Sequence, residues 1–339
     1  MGDEGSKALV PAPMTTQRLG RTELEVPIVG VGTAFLGYTD AIAAHGPIGS
    51  AAVDEEFGAQ TLLAAIEAGA RLVDTAPLYS DLAAERIVGL VMRAHPELRA
   101  SCTVTTKIGS FVGRRDYRRD AVVASVHESL ERCGLERFPL VSVHDAQGVP
   151  LEEVLGRSGA LAGLRSLQDE GLVGSVGTAC SDLETNVELA ATGEFDVAVV
   201  PGGWSLLSQK AGAKLLPVAR RHDLGVIVAT PLERGLLATG PIPGQPHRAR
   251  NFGEDALEYL RMLMAVCERH GVTLLAAALQ WPSRHPQVAS TIPGPRTVEE
   301  AIANSAAGSM DLGDEFWDEL LPLVRDWDYS TEILTAPPR

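Results

Sequence analysis

The sequence predicts a parallel α/β protein, a single (β/α)8 TIM barrel preceded by a small β-hairpin. Three observations point there. Short apolar runs alternate with helical segments along the chain, eight such runs occur between Ile28 and Thr291, and three successive runs end in or beside a titratable residue. Alternation at this spacing means parallel strands joined by crossover helices. Eight units close into a barrel whose reactive face lies at the carboxyl ends of the strands. A length of 339 residues suits one such barrel. An open doubly wound sheet has the same rhythm, but it would carry a glycine fingerprint after its first strand. Gly30-Val31-Gly32 lacks the third glycine of a dinucleotide turn.

Gln17–Leu19 and Leu24–Val26, separated by Gly20-Arg21-Thr22-Glu23, predict the hairpin, and Ile28–Thr33 the first buried strand. Helix Glu55–Ala68 precedes strand Arg71–Thr75, helix Leu82–Arg93 precedes strand Cys102–Lys107, and helix Arg119–Cys133 precedes strand Leu140–His144. Helix Leu151–Glu170 then leads to strand Val173–Thr178, and helix Leu183–Ala191 to strand Asp196–Val200. Helix Gln209–His222 leads to strand Gly225–Ala229. Two helices, Asp255–His270 and Leu274–Trp281, lead to the last strand, Val288–Thr291.

Two connections are long. Leu36–Asp54 follows the first strand and Thr239–Gly253 the seventh, both on the expected reactive face, where long loops act as lids or binding loops. The division expected is a flexible tail over residues 1–14, one barrel domain over 15–327 and a C-terminal tail over 328–339.

Composition narrows the partners. A formal net charge of −15 argues against nucleic acid and anionic membranes, and leaves a small molecule as the expected partner. Oligomeric state is not legible. The four cysteines, Cys102, Cys133, Cys180 and Cys267, show no CxxC spacing, which argues against structural zinc or a disulfide frame and suits a reducing cytoplasm. No metal site is expected.

The chemistry concentrates at three strand ends. Leu72-Val73 runs into Asp74, and Pro77 turns the chain so that Tyr79 follows in the loop. The next strand ends in Lys107 and the one after it in His144. Any one of these residues has a bland reading, as a helix cap, a surface lysine or a satisfied core histidine. Together they converge on one rim. A phenol with a pKa near ~10 is a poor proton carrier at neutral pH. A neighbouring ammonium stabilises the phenolate, an aspartate keeps the ammonium charged, and a histidine orients a substrate oxygen. That set performs the proton half of a carbonyl–alcohol interconversion. The hydride half needs a nicotinamide cofactor.

With these residues in view, the chain resembles the aldo-keto reductases from about Arg18 to about Leu320. Leu19-Gly-Arg-Thr-Glu-Leu-Glu-Val-Pro27 is similar to the family's hairpin. Asp74-Thr-Ala-Pro-Leu-Tyr79 matches its Asp-Thr-Ala-x-x-Tyr signature, and Lys107 and His144 fall where the rest of its tetrad does. The resemblance implies Tyr79 as general acid/base, Lys107 and Asp74 as its tuners, and His144 as substrate orienter. It implies cofactor contacts at Gly32, Thr33, Ser181, Trp204, Pro231, Leu232, Gly235, Leu237, Ile292, Gly294, Arg296, Glu300 and Asn304. It implies a substrate pocket lined by Phe35, Tyr38, Phe111 and Trp204.

Departures qualify the likeness. The pair expected to grip the carboxamide reads Ala179-Cys180-Ser181, and the glutamine of the sixth strand gives way to Pro201-Gly202-Gly203, closer to the aldose dehydrogenase branch. Where many family reductases place an arginine four residues before the late asparagine, this chain has Glu300 before Asn304. A carboxylate repels a 2′-phosphate and accepts from a 2′-hydroxyl, which favours NAD, while Arg296 keeps NADP open. The reading is oxidation of a sugar lactol to a lactone. The alternatives are NADPH-linked reduction of an aldehyde or ketone, pyridoxal-like compounds included, and a nucleotide-sensing subunit without turnover.

Overall fold

The computed structural model describes residues 14–38, 53–242, 250–326 and 332–333. The expected tails lie outside the described residues, apart from Met14 and the pair 332–333. Residues 39–52 and 243–249 of the two long connections also lie outside them.

The chain opens on an antiparallel pair, β1 (Thr16–Arg18) and β2 (Glu25–Pro27). It then alternates through β3 (Val31–Gly32), α1 (Glu55–Glu67), β4 (Leu72–Asp74), α2 (Ala83–Ala94) and β5 (Thr103–Ile108). A second small hairpin follows, β6 (Ser110–Phe111) with β7 (Arg114–Arg115), then α3 (Arg119–Cys133) and β8 (Phe138–His144). Next come α4 (Leu151–Leu155), α5 (Ala160–Asp169), β9 (Val173–Ala179), α6 (Leu183–Ala191), β10 (Val197–Pro201), α7 (Lys210–His222) and β11 (Gly225–Ala229). The last part holds α8 (Leu236–Thr239), β12 (Arg250–Asn251), α9 (Glu254–Arg269), α10 (Leu274–Gln280), β13 (Val288–Ile292), α11 (Val298–Ser309), α12 (Asp314–Leu320) and β14 (Glu332–Ile333), which pairs with β12.

Eight parallel strands lie in the order β13-β11-β10-β9-β8-β5-β4-β3. The sheet closes on itself. The Gly30 N–H donates to Thr291 O at 2.8 Å, and the Gly32 N–H to Pro293 O at 2.9 Å, so the first and last strands meet. The expected barrel and hairpin are both present.

Local chemistry explains the element ends. Asp54 caps α1 by accepting from the Phe57 N–H at 2.9 Å, Asp182 caps α6 through Thr185, and Thr273 caps α10 through Ala276. The hairpin plugs the amino end of the barrel. Leu19 and Val26 are fully buried with Leu72, Leu140, Val197 and Ile227 in the barrel interior. The fit there excludes side chains, since a Cβ on Gly20 would lie 2.0 Å from the Gly225 nitrogen. A second apolar layer separates strands from helices, with Val73, Ile87, Val126, Phe138, Val143 and Leu164 at its centre. Burying each such side chain contributes roughly 1.5–3 kcal/mol.

Two expectations need correction. The single helix Leu151–Glu170 is two helices, because the chain folds back at Gly156 and Gly159, where a Cβ would lie 2.4 Å from Glu152 O and 2.5 Å from Glu153 O respectively. Apolar spacing continues across this break, so periodicity alone does not reveal it. The β6–β7 hairpin lies outside the expected elements. Two-residue strands are too short to show alternation, and the only local signal is Gly113 at φ 73°, in the turn between them.

Candidate active site

Asp74 ends β4, Lys107 lies near the end of β5, and His144 ends β8, so three adjacent strands deliver three titratable groups to one rim. Register does the placing, with Asp74 paired to Thr105 and Lys107 to Ser142. Tyr79 joins them from the loop after β4. Ser80, Asp81 and Leu82 directly after it all have left-handed backbone, at φ 51°, 48° and 70°. Strain of this kind costs of order 1 kcal/mol or more per residue and persists only where the surroundings hold it.

The four side chains meet. Lys107 Nζ donates to Asp74 Oδ2 at 2.5 Å and to Thr75 O at 2.9 Å, and Thr105 Oγ1 donates to Asp74 Oδ1 at 3.0 Å. Nζ also lies 4.7 Å from the centre of the Tyr79 ring. The Tyr79 and His144 rings meet edge to face, with centres 5.8 Å apart. Asp74, Lys107 and His144 are buried and Tyr79 is half-buried.

Burial sets the protonation states. It is the largest influence on Tyr79 and raises its pKa; the Lys107 charge pulls the other way without overcoming it. The sequence-based expectation that Lys107 prevails is therefore corrected for this state, in which the phenol keeps its proton. Burial alone would lower the Lys107 pKa, but Asp74 and then Tyr79 outweigh it and hold the ammonium raised. His144 is lowered to about 3, first by burial and then by Lys107, against the opposing pull of Asp145. Its imidazole is neutral at physiological pH.

A buried network braces β5 from behind. Thr106 Oγ1 donates to Glu85 Oε1 at 2.7 Å, and Arg132 Nε donates to Glu85 Oε2 at 2.7 Å. Glu85 is fully buried. This ties α2 and α3 to the residue next to Lys107, a link that sequence alone did not reveal.

Around the rim, unpartnered polar side chains and glycine backbone gather at the strand ends. The hydroxyls of Thr33 and Thr75 and the His144 Nδ1 are buried without hydrogen-bond partners. After β10, Gly202 and Gly203 have φ of 76° and 88°. After β11, Thr230, Glu233 and Arg234 are left-handed, and Gly235 follows at φ 97° with nothing within 4 Å of the position a Cβ would take. Gly32 and Gly294 pack closely where β13 closes on β3, with Phe35 against Gly294. Unsatisfied polar groups beside open glycine backbone fit an extended polar ligand laid across the strand ends.

The other expected site residues divide into groups. Leu237 and Ile292 are buried in apolar clusters, which leaves their backbone for any ligand contact; Pro231 is also buried, and Leu232 is half-buried. Ser181 is exposed and its N–H donates to Asp145 Oδ1 at 2.9 Å, whereas Cys180 is turned into the core. Buried Asn186 fixes that turn by donating to Val199 O at 2.8 Å. Thr297 caps α11 by accepting from the Glu300 N–H, and Glu300 accepts at 2.8 Å from both the N–H and the guanidinium of Arg296. Asn304 is buried on the same helix. Tyr38 is buried with its ring 5.9 Å from Phe35, and Phe111 sits under the Arg114 guanidinium at 4.2 Å.

Trp204 lies in an aromatic cluster. Its indole packs on Trp281 at 4.8 Å, meets His285 edge-on, and donates to Pro282 O at 3.2 Å. The ring is half-buried and also packs beside Gly212 at the start of α7.

Among the described residues, no group of three or more His, Cys, Asp or Glu is placed to hold a metal ion, and no single helix is long and apolar enough to cross a membrane. All four cysteines are buried and unpaired.

A closed parallel barrel with an Asp–Tyr–Lys–His cluster at its carboxyl rim defines a class of oxidoreductase barrels. The chain belongs to the aldo/keto reductase family, whose model matches residues 29–323. It is 26% identical to a pyridoxal 4-dehydrogenase of Microbacterium luteolum, over 89% of this chain and 95% of that protein. It is 27% identical to a D-threo-aldose 1-dehydrogenase of a Pseudomonas species, over 89% and 97%. Among solved structures, the holo form of the aldo-keto reductase AKR11C1 from Bacillus halodurans superposes with a TM-score of 0.74 at 21% identity, covering 93% of this chain and 98% of that one.

Proposed function

We propose that the protein oxidises the lactol carbon of a small polar substrate, an aldose by preference, with an NAD-type cofactor, and that Tyr79 carries the proton. The observation that carries this reading is the contact of Tyr79 with both Lys107 and His144 at the carboxyl ends of adjacent strands. A nicotinamide cofactor, when bound, supplies the hydride acceptor that no side chain here provides. The neutral His144 imidazole hydrogen-bonds the substrate oxygen without competing for its proton. Tyr79 takes the hydroxyl proton, and Lys107 stabilises the phenolate that this requires. The two relatives named above are, by name, dehydrogenases of a pyridoxal and of an aldose, which supports a small polar substrate.

For the cofactor, Gly32, Thr33, the 231–237 turn, Gly294 and Asn304 form the seat, and Ser181 is the exposed candidate for the carboxamide. Glu300 favours NAD. Its carboxylate holds Arg296, so the guanidinium is already paired where a 2′-phosphate would need it.

The test is a side-by-side fluorescence titration with NADH and NADPH, followed by turnover of aldoses with the preferred cofactor. Tight NADH binding, weak NADPH binding and aldose oxidation support the reading. The reverse preference, with aldehyde reduction, would replace it with an NADPH-linked carbonyl reductase. Binding of neither would remove the cofactor argument.

A further inference from the structure

Past Lys107, β5 runs into the β6–β7 hairpin, and the base of that hairpin is built into the tetrad's own strands. Gly109 turns at φ 92°, and a Cβ there would lie 2.2 Å from the Tyr117 ring. The Asp116 N–H donates to Gly109 O at 2.9 Å. The Tyr117 hydroxyl lies 2.6 Å from His144 O and 3.0 Å from Asp145 O, donating its one proton to this pair. The hairpin is thus stitched to the ends of both β5 and β8, between Lys107 and His144.

Its charge is unusual for this chain. Residues 114–118 read Arg-Arg-Asp-Tyr-Arg, in a protein of formal net charge −15. Asp116 is spent on Arg118, accepting at 2.9 Å from Nε and at 2.6 Å from Nη2. Among the described residues neither Arg114 nor Arg115 forms an ion pair, although the Arg114 charge still helps to lower the Asp116 pKa, after the larger effect of Arg118. Both are ordered by other means. The Arg114 guanidinium stacks 4.2 Å over Phe111, and Arg115 Nη1 donates to Gln147 O at 2.9 Å, in the loop after His144. A guanidinium stacked on a ring keeps its N–H edge for a planar or tetrahedral anion, and little of its freedom remains to be lost on binding.

We propose that Arg114, with Arg115 beside it, selects a substrate bearing an anionic group, phosphate or carboxylate, away from the reacting carbon. This inference rests on the small-molecule oxidoreductase reading above. An anion approaching so acidic a protein is repelled at long range. The exposed Arg114 guanidinium, in no ion pair among the described residues, supplies the local attraction that a neutral substrate does not need.

The test compares glycerol, glycerate and glycerol 3-phosphate by calorimetric titration of the protein with and without NADH. Wild type, Arg114→Gln, Arg114→Lys and the double variant Arg114→Gln/Arg115→Gln are used. The expected result is that at least one anion binds wild type about tenfold or more tighter than glycerol, a difference of about 1.4 kcal/mol. The double variant loses that preference, Arg114→Lys keeps part of it, and added salt weakens it. Glycerate and glycerol 3-phosphate together show whether carboxylate or phosphate is the better group. Equal binding of all three compounds to wild type, or an intact preference in the double variant, overturns the proposal. Turnover of a neutral aldose by the same variants keeps the two readings apart. Turnover without anion preference sinks only the anionic substrate, and anion preference without turnover sinks only aldose oxidation.

Discussion

Lys107 Nζ lies 2.5 Å from Asp74 Oδ2, and both side chains are at most 4% exposed. Two charges are thus held out of water, each depending on the other. Removing one partner of a buried pair costs about 3–5 kcal/mol, because the survivor is left uncompensated. Asp74→Asn should therefore lower stability by about that amount in denaturant titrations, and Asp74→Asn/Lys107→Met should recover much of the loss. A wild-type-like midpoint for the single variant would mean the pair is not coupled in this way.

Tyr79→Phe should reduce kcat about 10²–10⁴-fold, the range of a lost general acid/base, with cofactor affinity unchanged. Because burial raises the Tyr79 pKa, oxidation should accelerate as pH rises through neutrality into the alkaline range, whereas reduction, which uses the protonated phenol, should not. Steady-state rates in both directions test this. An oxidation rate flat with pH would show that Tyr79 ionisation is not limiting.

His144 gives a stability signature. Its folded pKa is lowered from 6.5 to about 3, so between those values the unfolded chain takes up a proton that the folded chain refuses. Stability should fall as pH drops through that window, with a slope of up to about 1.4 kcal/mol per pH unit. His144→Gln should flatten the dependence. Thermal unfolding of both proteins between about pH 7 and about pH 4 makes the comparison.

Glu300→Ala should release Arg296 for a 2′-phosphate. NADPH affinity is expected to improve about tenfold while NADH affinity changes little, read by fluorescence titration. An unchanged ratio would place the discrimination elsewhere in the seat.

Arg132→Met should leave Glu85 as an uncompensated buried carboxylate and destabilise by about 3–5 kcal/mol. Since Glu85 also accepts from Thr106, next to Lys107, turnover at temperatures where the variant stays folded should fall as well. A variant that is less stable but fully active would confine the network to structure.

Most of the fold and the tetrad itself were legible along the chain. Asp74, Lys107 and His144 each close a short apolar run, and strand ends converge in a parallel barrel whatever the helices do. What was not legible came from contacts distant in sequence. Nothing local in Glu85 or Arg132 marks them as a buried pair 47 residues apart. Ala179-Cys180-Ser181 left open which side chain is exposed; Asn186 and the Asp145 carboxylate hold the turn in which Cys180 is buried and Ser181 is exposed.

The sequence by itself determined the barrel, the rim on which Asp74, Tyr79, Lys107 and His144 meet and the family, because periodicity, strand ends and the Asp-Thr-Ala-x-x-Tyr spacing are properties of neighbouring residues. Only the tertiary structure decided how the groups are charged and what they face. It put burial ahead of Lys107 in setting the Tyr79 phenol, packed Trp204 against Trp281, paired Arg296 with Glu300, and stacked Arg114 on Phe111. Those outcomes depend on desolvation and on partners brought close only by folding, and neither is written in any local stretch of the chain.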